Sequence, residues 1–337
     1  MHALSAALSA ALPAVPNSPQ MTAARPRTRP SHSATARTDA TSSPRTGARK
    51  DASKPPRAAE APPLPEATVS EAGGVRYLHL DTPWIQGAMR IRQPHKLELE
   101  YIQRMMAWLL LRDPDQLPGT RTLHLGLGAA ALTKFCHSTL RLPTTVVELN
   151  PQVIRACHAW FHLPDDDERL HIIEGDADRH VRDDAHIASA DAICVDLYDH
   201  EAASPALDDE AFYRACWQVL DDGGVMTVNL FGRDASFERS AERIAAAFGE
   251  GHMAVFKPTT DGNTIVLAWK GFALPPREVL AQRAETLATR WSLPARKWVK
   301  LLSAWAPVPA VKSVAKSVVK AAAKPAAKPA RKKVASP

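Results

Sequence analysis

Between residues 121 and 248 the chain repeats one unit five times, a short apolar stretch followed by a segment whose apolar residues recur at helical spacing. RTLHL, TTVVEL, LHIIEG, DAICVD and GVMTVNL read as strands, and segments such as PQVIRACHAWF and DDEAFYRACWQVL read as helices. Alternation of this kind builds an α/β, doubly wound and mostly parallel sheet with helices on both faces. Two last strands, MAVFKPT and NTIVLAWK, lie close enough to form an antiparallel edge pair. No internal repeat organises the chain better.

The flanks divide the rest. Residues 67–96 read as a small N-terminal β-hairpin, from GGVRYLHLD and WIQGAMRI joined by a Thr-Pro turn. LELEYIQRMMAWLLL (97–111) is an apolar helix that opens the Rossmann-like domain of residues 97–272, and residues 273–306 add C-terminal helices, the last being ARKWVKLLSAW. Residues 1–66, rich in Pro, Ala, Ser, Thr and Arg, cannot bury a core and are expected to be a disordered extension. Their first stretch lacks a basic leader and is interrupted by Pro13 and Pro16, unlike a secretory signal. The acid-poor segment after it also has the composition of a transit peptide, and an over-called start codon would produce the same appearance. Residues 307–337 form a basic Lys/Ala/Pro tail, read either as solvated and disordered or as a non-specific contact for nucleic acid and other polyanions.

Charge separates these parts. The whole chain carries +6, with +5 in residues 1–66 and +12 in residues 290–337, which leaves −11 on residues 67–289. An acidic body is a poor nucleic-acid grip and suits a cationic substrate. The cysteines Cys136, Cys157, Cys194 and Cys216 stand among apolar neighbours without metal spacing, so buried thiols in a reducing, cytoplasmic setting and no metal are expected. No apolar run reaches the roughly 18 residues of a membrane span.

In a doubly wound sheet, ligands sit beyond the carboxyl ends of the strands. The first strand ends in the turn HLGLGAA, where Gly126 and Gly128 permit a sharp backbone bend beside a helix N-terminus. The second ends at Glu148, about twenty residues on, where an acid can accept from ribose hydroxyls. The third ends at Asp176 and the fourth at Asp196 in VDLYD. One strand-end acid is as often a helix cap as a ligand. Four such features in order indicate an adenosine-type ligand.

These motifs resemble the class I S-adenosylmethionine-dependent methyltransferase fold and, within it, the spermidine synthases, or polyamine aminopropyltransferases. The likeness covers about residues 75–271. LDTPWIQGAMRI is similar to the family hairpin, LHLGLGAAAL to its glycine segment, VVELNPQVI to VEIDPxVI, LHIIEGDA to VxVxxGDA and DAICVDLYDH to DVIIVDSSDP. LDDEAFYRACWQVLDDGGVM follows LFTxEFYxxxxxxLxxxGxx. The resemblance implies Gln86, Gly126 and Gly128 beside the nucleoside, Glu148 on the ribose, and Asp176 with Ala177 on the adenine. It implies Asp196 and Asp199 as the catalytic pair, and Tyr101 and Tyr198 beside the amine, a packed tyrosine being the other reading of Tyr198. The implied co-substrate is decarboxylated S-adenosylmethionine, the partner a small cationic amine, and the assembly a homo-oligomer.

Three departures fall on the amine side. Ala129 stands where the family's GGGDG carries an aspartate, YIQRM lacks the glutamate of Y-x-E, and KPTTDGNTIVLAW replaces PxYPxGxWxF. The expected activity is therefore aminopropyl transfer with diverged amine recognition. The rival expectations are methyl transfer from S-adenosylmethionine and a non-catalytic nucleoside-binding homologue.

Overall fold

The computed structural model describes residues 63–198, 204–231 and 235–306. The expected basic tail and nearly all of the extension 1–66 lie outside these residues, as does Asp199.

The described chain opens with three antiparallel strands, β1 (Ala67–Ala72), β2 (Val75–Leu80) and β3 (Gly87–Arg90). Strands β2 and β3 are the expected hairpin, and β1 is added to it through the two-residue Gly73–Gly74 turn, both glycines at positive φ. ATVSEA gave no strand signal because it buries no complete face. Leu78, Leu80 and Met89 of this small sheet pack against Val153, Cys157 and Phe161, which fixes it over one end of the main sheet.

The main sheet contains β4 (Thr122–Leu125), β5 (Thr144–Glu148), β6 (Leu170–Glu174), β7 (Ala190–Val195), β8 (Leu220–Phe231), β9 (Met253–Phe256), β10 (Asn263–Trp269) and β11 (Leu302–Ala304). Their order is β11-β9-β10-β8-β7-β4-β5-β6, with β4 to β8 parallel. The chain therefore runs outward from β4 through β5 and β6, then returns to the other side of β4 at β7. That reversal opens a crevice between the carboxyl ends of β4 and β7.

The edge beyond β8 differs from the expected pair. Strands β10 and β9 are antiparallel as expected, but a third strand, β11, pairs with β9. The expected last helix stops at Leu301 as α8 (Ala295–Leu301), and Leu302–Ala304 turns into the sheet. The backbone of β9 would otherwise present unpaired groups along its outer side, and three residues suffice to satisfy them.

Helices α1 (Glu100–Met105), α2 (Ala131–Lys134), α7 (Arg277–Trp291) and α8 cover one face, while α4 (Ala177–Val181), α5 (Glu210–Val219) and α6 (Ala235–Phe248) cover the other. Helix α3 (Pro151–Trp160) packs with the small sheet. Two expected helices are reshaped. After α1 the chain tightens into a 3-10 segment over Met106–Leu111, every side chain of which is buried, so no polar face remains to keep an ordinary surface helix. After α2 it widens into a π turn over Phe135–Thr139.

Lys134, at the end of α2, is 0% exposed. Its Nζ donates to the Phe161 carbonyl at 2.5 Å and lies 3.2 Å from Sδ of Met89, linking α2, the end of α3 and the small sheet. Burial pulls its pKa from 10.5 to about 8. Between these values the unfolded chain holds the proton that the folded chain has lost, so stability rises with pH across that window. We predict that Lys134→Met is more stable than wild type at pH 7, by up to about 3 kcal/mol, and that the gap closes toward pH 10.5. Denaturant unfolding at several pH values measures this; a less stable variant with a pH-independent gap contradicts it.

Candidate functional site

The crevice is made possible by Gly126. Its φ is +94°, and a Cβ there would lie 2.2 Å from the carbonyl oxygen of Asp196. Only glycine lets β4 and β7 end this close together. The turn that follows is held on several sides. Leu127 N–H donates to Oε2 of Glu148 at 2.9 Å, and Sγ of Cys157 donates to the Gly128 carbonyl at 3.1 Å. Ala130 is 0% exposed and sits at a φ of +56°, a left-handed conformation that costs a residue with a Cβ about 1 kcal/mol or more. Gly87 in β3 touches the turn so closely that a Cβ there would lie 2.6 Å from Cβ of Ala129. The small sheet thus forms the opposite wall of a narrow cleft.

Five of the expected residues line this cleft together: Gln86, Tyr101, Gly126, Gly128 and Asp196. Ala129 lines it too and is only 2% exposed. Glu148 stands behind the turn, its two carboxylate oxygens accepting from Leu127 N–H and Asn150 N–H, each at 2.9 Å. Each oxygen retains a second lone pair for a ligand. Burial raises the Glu148 pKa, the backbone donors oppose that rise, and the charge of Asp196 adds to it.

Asp176 and Ala177 lie farther along, at the end of β6. Asp176 is exposed and accepts from Asp178 N–H at 2.8 Å, capping α4, while Ala177 is buried. Neither lines the cleft between β4 and β7. The Tyr198 hydroxyl donates to the Asn229 carbonyl at 2.8 Å, and its ring packs against the α5–α6 side of the core. Asp199 is outside the described residues. Among the described residues, no group of three or more His, Cys, Asp or Glu is placed to hold a metal ion, and no helix is long and apolar enough to cross a membrane.

Asp196 is the chemically distinctive group. Its Oδ1 accepts from Nδ2 of Asn229 at 2.8 Å, and Tyr101, which lines the same cleft, favours the ionised form of that carboxylate through its hydroxyl. Burial lifts its pKa to about 6, against the pull of those two donors. An acid in that range takes and returns a proton near neutral pH. Asn229 in turn accepts at Oδ1 from Nδ2 of Asn263, at 3.0 Å. Neither asparagine was expected. A signal for Asn229 exists in GVMTVNL, an amide near the end of a mostly apolar strand, whereas Asn263 in TTDGN is indistinguishable from a turn residue.

Comparison with known proteins follows the same lines. Residues 135–250 match the family model described as the spermine/spermidine synthase domain. The polyamine aminopropyltransferase of Neisseria meningitidis serogroup A is 33% identical over 249 residues, which span 72% of this chain and 91% of that protein. A probable spermidine synthase from Corynebacterium glutamicum superposes with a TM-score of 0.54 at 19% identity, over 74% of this chain and 94% of that one. Human methyltransferase-like protein 13, solved with SAH, gives a TM-score of 0.52 at 21% identity, over 64% of this chain and 98% of that one. Both structural likenesses establish the fold, a methyltransferase-like doubly wound sheet.

Proposed function

The chain belongs to the polyamine aminopropyltransferase family, and on that premise we propose that it moves an aminopropyl group from decarboxylated S-adenosylmethionine to a di- or polyamine. The observation that carries this reading is Asp196, a buried carboxylate whose pKa is raised to about 6, facing the glycine turn across the cleft beside Tyr101 and held by Asn229. In aminopropyl transfer an amine attacks the carbon next to a sulfonium. An ammonium has no lone pair, so it must first lose a proton, and in this reading Asp196 accepts it. The nitrogen lone pair then forms the new C–N bond as the C–S bond breaks. Sulfur keeps the bonding pair and leaves as a neutral thioether, while the positive charge moves to nitrogen.

The remaining roles follow the cleft. Glu148 takes the ribose hydroxyls with its free lone pairs, Gln86 and the turn residues Gly126 and Gly128 flank the nucleoside, and Tyr101 shares Asp196 with the amine. Asp176 and Ala177 receive the adenine, and Asp199 holds the far charge of the acceptor. The enzyme works in the cytoplasm, a setting that suits its four free, buried cysteines.

Purified protein incubated with either sulfonium donor and a panel of amines tests the reaction. We predict release of 5′-methylthioadenosine from the decarboxylated donor, and a fall of about 10²-fold or more in turnover for Asp196→Asn. S-adenosylhomocysteine formed from the ordinary donor would instead establish methyl transfer, and no product with any amine would remove catalysis altogether.

Ala129 predicts how the donor is held. Among the described residues, none that lines the cleft at this point carries a carboxylate to meet the donor's ammonium. Ala129→Asp supplies one, which attracts the lone ammonium of the decarboxylated donor and repels the carboxylate of ordinary S-adenosylmethionine. The ratio of dissociation constants, ordinary over decarboxylated, is predicted to rise about tenfold and to shrink with added salt. A flat ratio in a folded variant would mean that residue 129 does not face the amine.

A further inference from the structure

Asn263 begins β10 directly after a tight turn, yet its side chain is not spent on that turn. Thr259 closes it instead: the Thr259 hydroxyl accepts from Asn263 N–H at 3.0 Å, and Thr259 N–H donates to the Asn263 carbonyl at 2.8 Å. Across the antiparallel ladder, Asn263 is opposite Phe231 and Ile265 is opposite Asn229. The two asparagines are therefore diagonal neighbours on one face, within side-chain reach. Nδ2 of Asn263 donates to Oδ1 of Asn229 at 3.0 Å, and Nδ2 of Asn229 donates to Oδ1 of Asp196 at 2.8 Å.

We propose that Asn263 is a positioning residue: by engaging Oδ1 of Asn229 it fixes that amide in the sense that donates to Asp196, and so keeps Asp196 ready to accept a proton. A primary amide has a donor end and an acceptor end. With the acceptor end held by Asn263, only the NH2 group faces Asp196, and that group favours the ionised acid. Turned over, the amide would present its oxygen, which Asp196 could meet only in its protonated form. The strand–turn–strand of β9 and β10, some thirty residues beyond β8, thereby acts on the proton affinity of an acid at the end of β7.

The surroundings of Asp196 leave this role to hydrogen bonds. Its titratable neighbours among the described residues are Tyr101 from α1, Glu148 from β5, Cys194 from β7 and Tyr198. None of these brings a positive charge. Donors from Tyr101 and Asn229 are what oppose the effect of burial, and Asn229 donates only while its amide keeps its present sense.

The inference rests on the proposed function only for the use made of Asp196, since the amide chain itself is a statement about that residue's proton affinity. The test uses the full chain, with Asp196 followed by carboxyl-carbon NMR titration, its signal assigned through Asp196→Asn, and kcat/KM measured against pH in parallel. Asn263→Ala removes the clamp and is expected to raise the Asp196 midpoint. Asn263→Asp offers only acceptors, so it draws the NH2 end of Asn229 toward itself and turns the oxygen to Asp196. Its midpoint should rise further, by about one pH unit or more, and the acid limb of kcat/KM should move up with it. A residue that merely stabilised the turn would lower the melting temperature and leave the midpoint in place in the uncharged Asn263→Ala, which therefore decides, since the new charge of Asn263→Asp adds a rise by repulsion alone. An unmoved midpoint in Asn263→Ala, or a lowered one in Asn263→Asp, overturns the proposal. A raised midpoint without detectable aminopropyl transfer would uphold the amide chain and reject the proposed function; transfer with an unmoved midpoint would do the reverse.

Discussion

One carboxylate ties the two loops on which the cleft depends. Glu148 ends β5 and accepts from Leu127 in the turn after β4 and from Asn150 at the head of α3. Both oxygens are engaged by backbone N–H groups, so the side chain has little freedom left and the turn after β4 is held against β5. From there the geometry propagates. Gly126 can approach the Asp196 carbonyl because it has no side chain, Ala130 is kept in a left-handed conformation, and Gly87 closes the opposite wall. A larger residue at 126 would separate the strand ends that bring Asp196 to the turn, and one at 87 would push the small sheet away from Ala129.

Asp196 and Glu148 each raise the proton affinity of nearby groups, and among the described residues the titratable groups whose proton affinity Asp196 raises, Tyr101, Glu148, Cys194 and Tyr198, include no cation. Residues 67–289 carry −11 as a whole. A site of this sign suits a cationic ligand. The proposed donor and acceptor are both cationic. Ala129 limits the effect locally, since it leaves one stretch of the wall neutral where an acid would have added a further attraction.

Much of this was legible in the sequence, for particular reasons. The parallel strands announced themselves because strands buried on both faces need continuous apolar runs, and their order put Gly126, Glu148, Asp176 and Asp196 at carboxyl ends. The edges were harder. Strand β1 buries almost nothing, and β11 exists because β9 would otherwise lack backbone partners, a tertiary fact with no local signature. The 3-10 and π segments around α1 and α2 follow from packing rather than propensity. At the site, Asp176 caps a helix that any strand-end acid is suited to cap, so its side chain alone did not separate structure from binding. Asn263 was hidden because asparagine after a glycine has an ordinary use in turns, and only the register of β8 against β10 sets it beside Asn229.

The claim on which the rest depends is that the turn held by Glu148 seats a nucleoside. Calorimetric titration of wild type and Glu148→Ala with 5′-methylthioadenosine measures this directly, with thermal melting to verify that the variant is folded. Loss of the ribose contacts should weaken binding by about 1.5–3 kcal/mol, tenfold or more. Unchanged affinity in a folded Glu148→Ala variant would contradict it.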